Sequence, residues 1–184
     1  MTLAMTYKTG ANKNVQTSDD YIKNFPVSWE EIHRNTKALA WKLLNKGPLE
    51  GGKWKGIIAI TRGGMVPACI MARELEILTI ETFCITSYDV QDQSETKVLK
   101  NPDFVMNETG NDGEGWLVID DLVDTGSTFE LARKTLPKAH YACIYVKPKG
   151  AKQTDTYITE FSQDTWVHFP WDLETQYATP LARK

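Results

Sequence analysis

The chain has little that would mark it for a metal–thiolate site, a membrane or a nucleic acid. Its three cysteines, Cys69, Cys84 and Cys143, are odd in number and widely spaced. Each stands in an apolar context, so buried, reduced thiols are expected. The three histidines, His33, His140 and His168, are scattered and lack the spacing of a zinc site. No apolar run approaches the roughly 20 residues of a spanning helix. Residues 1–14 lack the continuous apolar core of a secretory signal. Lys and Arg number 21 against 24 Asp and Glu, a net charge of −3, so there is no basic field to attract nucleic acid. Internal repeats are absent. What remains is a chain of 184 residues, 41% hydrophobic, long enough for one domain with a full core.

Residues 1–24 are polar and aperiodic and read as an N-terminal arm; 25–184 read as a single domain. Ser28-Trp29-Glu30-Glu31 is a capping box. The helix it opens places Ile32, Leu39 and Leu43 on one face and is stopped by Gly47-Pro48. Residues 56–60 form a short continuous apolar run, the pattern of a strand buried on both faces. Thr61-Arg62-Gly63-Gly64 then turns into a helix running to about Leu75, with Pro67 near its first turn. Further strands are expected at 82–88, 117–120, 141–146 and 157–161, with a helix at 129–136 and an aromatic tail element at 166–171. Residues 91–115 break this rhythm. They are polar, carry Pro102, Gly110, Gly113 and Gly115, and are long for a connection, which predicts a lid loop. Strands alternating with helices imply an α/β fold with a central, mostly parallel sheet flanked by helices. Ligands gather beyond the carboxyl ends of such strands.

Three segments fall at those ends. In Trp116-Leu117-Val118-Ile119-Asp120-Asp121-Leu122-Val123-Asp124-Thr125-Gly126-Ser127-Thr128, an apolar strand runs into two adjacent carboxylates, a third carboxylate, and a loop of small donors opening a helix. Gly126 lets backbone approach a ligand, and the free amides of a helix start seat a phosphate. Taken alone, Thr125-Gly126-Ser127-Thr128 would serve equally as an ordinary N-cap. Asp120 and Asp121 repel one another, so they call for a cation or hydroxyl donors. A ribose diol with Mg²⁺ supplies both. Arg62 with Gly63 and Gly64 makes a second anion cradle, and two cradles suit a ligand with two separated phosphate groups. Lys147, at the end of a strand, is either a donor to a heterocycle carbonyl or a snorkelling surface lysine. Trp166 and Trp171 are either stacking platforms or core.

The stretch from Val118 to Thr128 resembles the 5-phosphoribosyl 1-pyrophosphate (PRPP) motif of type I phosphoribosyltransferases. Around it, Trp54-Lys55-Gly56, Thr61-Arg62-Gly63-Gly64, Ser87-Tyr88-Asp89, Lys147-Pro148, Gln163-Asp164-Thr165-Trp166 and Pro170-Trp171-Asp172 follow in order over about residues 21–172. They resemble the purine-salvage subgroup, the bacterial xanthine-guanine phosphoribosyltransferases.

The resemblance implies a type I phosphoribosyltransferase fold with a small hood and a flexible lid at about 91–115. It implies Mg²⁺-dependent transfer of the 5-phosphoribosyl group from PRPP to N9 of guanine, xanthine or hypoxanthine, giving GMP, XMP or IMP and pyrophosphate. Carried over by position, Arg62, Gly63, Asp120, Asp121, Leu122, Val123, Asp124, Thr125, Gly126, Ser127 and Thr128 would bind PRPP. Within that set, Arg62 and Gly63 would hold the pyrophosphate, after a cis peptide at Thr61–Arg62, and Asp121 would lie nearest the metal. Asp124 would contact purine N7 and act as general acid/base. Lys147 would donate to the 6-oxo group, Trp166 would stack on the base, and Val167 would offer backbone to its 2-position edge. A cytoplasmic homotetramer is implied, and some relatives attach peripherally to the inner membrane.

There are three departures: Ser94 stands where the family's lid carries an Arg, residues 101–110 lengthen the lid, and the arm before Tyr21 has no counterpart. The competing reading is a PRPP-binding regulator without turnover. The acidic charge and the retention of Lys147 and Trp166 argue against it.

Overall fold

The computed structural model describes residues 23–90 and 93–172. The expected arm up to residue 22, residues 91 and 92 of the expected lid, residues 173–184 and the side chains of 87–95, that of Ser94 included, lie outside the described residues.

The apolar runs build one six-stranded sheet from β2 (Gly56–Thr61), β3 (Ile80–Val90), β4 (Gln93–Lys100), β5 (Trp116–Val123), β6 (His140–Val146) and β7 (Thr156–Glu160). Their order is β4-β3-β2-β5-β6-β7, and every neighbouring pair is parallel except β3 with the edge strand β4. Strand alternation sorts the core into two layers. Ile57, Ala59, Leu117 and Ile119 pack under helices α1 (Trp29–Leu43) and α2 (Met65–Glu74), against Leu39, Leu43, Ala68 and Met71. Ile58, Ile60 and Val118 point the other way, toward Val105 of α3 (Asp103–Thr109) and Phe129 and Ala132 of α4 (Ser127–Thr135). Central strands buried on both sides therefore read as unbroken apolar runs. Ser28 caps α1 as expected: its Oγ accepts from the Glu31 amide at 3.1 Å.

A second, two-stranded sheet pairs β1 (Lys23–Pro26) in parallel with β8 (Thr165–His168), with Asn24 opposite Trp166. This hood closes over Ile144 and Tyr145 of β6 through Val27, Val167 and Phe169. Among the described residues no helix is long and apolar enough to cross a membrane.

The sequence expectations need four corrections. The described part of 91–115 is not one loop: β4 forms a hairpin with β3, and α3 occupies most of the extra lid material. Gly110 ends α3 in the left-handed conformation (φ 65°), which the missing Cβ permits. Lys23 and Asn24 are not arm but strand; all four residues of β1 are exposed, so no alternation marks them in the sequence. β5 runs on through the acidic pair to Val123, so the carboxylates lie on the strand's last turns of backbone rather than beyond its end. Finally, the cysteines are free but not uniformly buried, since Cys69 on α2 is exposed and Cys84 partly so.

Candidate active site

The carboxyl ends of β2, β5 and β6 lie side by side in the sheet, and each feeds one of the suspected loops. After β2, the Thr61–Arg62 peptide bond is cis, as the resemblance implies. Gly63 then passes so close to β5 that a Cβ there would overlap the Asp121 carboxylate, and one on Gly64 would strike the Ile119 carbonyl. Only glycines admit this approach, which brings the Arg62 loop onto the acidic pair. The Arg62 side chain is exposed.

Asp120 and Asp121 are held by local backbone. Asp120 Oδ1 accepts from the Asp121 amide at 3.0 Å, and Asp121 Oδ1 accepts from the Leu122 amide at 2.6 Å. Asp120 is 8% exposed. Burial pushes its carboxyl well above the ordinary range, and the charge of Asp121 adds to that. Burial likewise pushes Asp121 up to about 6, with a further push from the charge of Asp172. A divalent cation would relieve both burdens, and hard carboxylate oxygens on a strand end suit magnesium, which needs only one or two such ligands beside phosphate and water. The residues present therefore fit the metal that the resemblance implies.

The next loop is the expected phosphate seat. α4 starts at Ser127, not at residue 129, and its N-cap is Gly126 in a left-handed conformation (φ 88°), with no side-chain cap bond. The ordinary N-cap reading, in which a Ser or Thr hydroxyl at the cap position serves the helix, is thereby set aside. The Thr125 and Ser127 hydroxyls lie 3.2 Å apart, Thr125 is exposed, and Ser127 and Thr128 are half-buried. The helix start thus presents backbone amides and small hydroxyls together. Leu122 is half-buried and Val123 buried; the Val123 carbonyl accepts from the Lys147 amide at 2.9 Å, tying this loop to the end of β6.

Lys147 settles one of the open alternatives. It is not a surface lysine. Its side chain is 1% exposed, and Nζ donates to Asp124 Oδ2 at 2.6 Å, while the Asp124 side chain keeps 30% of its surface open. The other Asp124 oxygen, Oδ1, accepts from Gln163 Nε2 at 2.5 Å. One of the two tryptophans is accounted for by packing. Trp171 stacks on Phe169 (4.7 Å between centroids, 4° between planes) and leans on Trp29, so it is packing. Trp166 is half-buried on β8, and Val167 beside it is buried.

The phosphoribosyl transferase domain model matches residues 28–178. The xanthine-guanine phosphoribosyltransferase of Nitratidesulfovibrio vulgaris is 54% identical over 171 residues, covering 92% of this chain and 98% of its own length. The chain belongs to the xanthine-guanine phosphoribosyltransferase family. The enzyme of the same name from Desulfotalea psychrophila is also 54% identical, over 165 residues, covering 89% of this phosphoribosyltransferase and 96% of its own chain. Among solved structures, the purine phosphoribosyltransferase of Pyrococcus horikoshii superposes with a TM-score of 0.65 over 82% of this chain and 95% of its own, at 22% identity, and so shares the fold.

Within this phosphoribosyltransferase the structure gathers Gly63 with Asp121, and Asp124 with Lys147, while Trp166 and Val167 sit on the hood strand. Sequence reading passed over three neighbours. Gln163 figured only as part of a matching run, although it bonds Asp124. Asp172 is a further carboxylate whose charge reaches Asp121. Gly150 in the single turn α5 (Pro148–Ala151) lies so close that a Cβ would stand 2.9 Å from the Asp124 carbonyl. Only a Gly shortly after a strand-end Lys hinted at the last of these.

Proposed function

We propose that this enzyme salvages purines by transferring the 5-phosphoribosyl group of PRPP to N9 of guanine, xanthine or hypoxanthine, releasing pyrophosphate with GMP, XMP or IMP. The observation that carries the reading is the buried Lys147 paired with Asp124 beside a glycine-capped helix start. A 6-oxopurine offers an acceptor, O6, for the ammonium, and N7 for the carboxylate. An exocyclic amine, as in adenine, would set donor against donor and offer the Lys147 ammonium no acceptor on the base.

The residues divide the work. Thr125, Gly126, Ser127 and Thr128 bind the 5′-phosphate. Arg62 and Gly63 hold the pyrophosphate, where the guanidinium stabilises the charge that develops on the leaving group. Asp120 and Asp121, with Leu122 and Val123 shaping the strand end, face the ribose. There they offset the positive charge that builds on the sugar as the bond breaks. Asp121, with Asp120 beside it, would hold Mg²⁺, which when bound supplies positive charge at the phosphates. Trp166 stacks on the base and Val167 turns backbone toward its 2-position edge. N9 attacks C1′, and the C1′–O bond breaks with its electron pair on pyrophosphate. The proton on N7 passes to Asp124. The β3–β4 hairpin is the element to exclude water while the sugar is reactive. The working form is a cytoplasmic homotetramer.

Asp124→Ala tests the assignment. Turnover with guanine should fall by roughly 10²- to 10⁴-fold, the usual worth of a general acid/base, while PRPP binding by calorimetry stays intact. Full turnover in this variant would remove Asp124 from the reaction.

A further inference from the structure

We infer that Gln163 is a positioning residue for Asp124, holding its carboxylate on aim when the base draws Lys147 away. The inference rests on the reading that Asp124 meets purine N7. Gln163 sits in the turn between β7 and β8, distant in sequence from the loop it serves. Its amide is fixed from both sides. The backbone N–H of Lys149, in α5, donates to Gln163 Oε1 at 3.1 Å. A backbone N–H can only donate, so Oε1 must face it, and Nε2 is left pointing at Asp124 Oδ1, 2.5 Å away. The same loop thus supplies Lys147 at one end and the anchor for Gln163 two residues later.

Lys147 and Gln163, both donors to Asp124, differ in what the substrate does to them. Lys147 holds Oδ2 at 2.6 Å, but it is also the group that a 6-oxo acceptor would engage. When the ammonium turns toward O6, its hold on the carboxylate weakens at the moment Asp124 must meet N7. Gln163 has no such second task. It donates to the opposite oxygen, keeps the carboxylate plane in place, and leaves Oδ2 to face the base. A carboxylate with one oxygen clamped has lost most of its rotational freedom before the base arrives, which is how a site keeps a proton acceptor in line.

Gln163→Leu removes the donor at similar volume. With PRPP, Mg²⁺ and guanine, kcat should fall roughly 10- to 100-fold, the range for one hydrogen bond to a charged group. KM for PRPP should stay within about twofold, because the phosphate seats are untouched. An unchanged kcat would overturn the inference, as would a loss that falls on KM for PRPP alone. If Gln163→Leu does not fold, Gln163→Met is read by the same criteria. Asp124→Ala measured alongside separates the two levels. Full turnover there sinks the site reading itself, whereas a crippled Asp124→Ala beside an unaffected Gln163→Leu sinks only the role of Gln163.

Discussion

At the scale of single residues, the proposed site holds groups that are costly to the folded chain. Asp121 is the clearest. Its ordinary value is 3.8 and burial raises it to about 6. Between those values the folded protein keeps a proton that the unfolded chain has released. The stability tied to this group is therefore whole below about pH 4 and lost as pH rises through about 6. Asp121→Asn keeps an oxygen for the Leu122 amide and removes the charge. Without PRPP and Mg²⁺, its Tm should exceed the parent's at pH 8, by an increment worth up to about 3 kcal/mol, and the gap should close toward pH 4, while catalysis is lost. Equal melting temperatures at both pH values in calorimetry would contradict this. Much of the residue scale was legible in advance. Adjacent acids after an apolar run, a small-residue loop and a Gly pair after a strand are local patterns with local causes. Gln163 was not, because its importance comes from a contact with Asp124 across distant sequence, which no spacing rule reports.

At the scale of elements, the sheet was legible wherever burial imposed a pattern. β2, β5 and β6 are covered on both sides and announce themselves as apolar runs. β1 is exposed along its length, and it exists because β8 pairs with it. The β3–β4 hairpin also escaped notice. Lys97 and Lys100 on an edge strand look like loop residues, although charge on an edge is what protects it from further pairing. Lys100 earns its place by bridging to Glu81 at 2.7 Å, which holds that carboxyl below its usual range. Among the described α-helices α5 is the shortest, a single turn packed tightly on the Asp124 loop. A Cβ on Gly150 would stand 2.7 Å from Val123 Cγ1 and 2.9 Å from the Asp124 carbonyl. Gly150→Ala should therefore push the α5 turn off the Asp124 loop, lowering the denaturation midpoint by an amount worth about 1–3 kcal/mol and reducing kcat along with it. A variant with parental midpoint and parental kcat would show that the turn has room to spare.

At the scale of the whole molecule, the sheet and the hood each carry half of the proposed chemistry. The strand ends hold the proposed phosphate seats and the acidic pair, and the hood strand β8 with the turn before it brings Trp166, Val167 and Gln163. The hood depends on residues 23–26, so part of the sequence first read as arm belongs to the domain. The net charge of −3 is consistent with a small anionic substrate drawn by local cradles and not by a basic surface. The central claim is that Lys147 and Asp124 together select a 6-oxopurine as acceptor. The most direct test is pyrophosphate release by the purified enzyme with PRPP and Mg²⁺, compared across guanine, xanthine, hypoxanthine and adenine. The account predicts release with the three oxopurines, each matched by its nucleoside monophosphate, and none with adenine. Release with adenine at a rate comparable to guanine would contradict it.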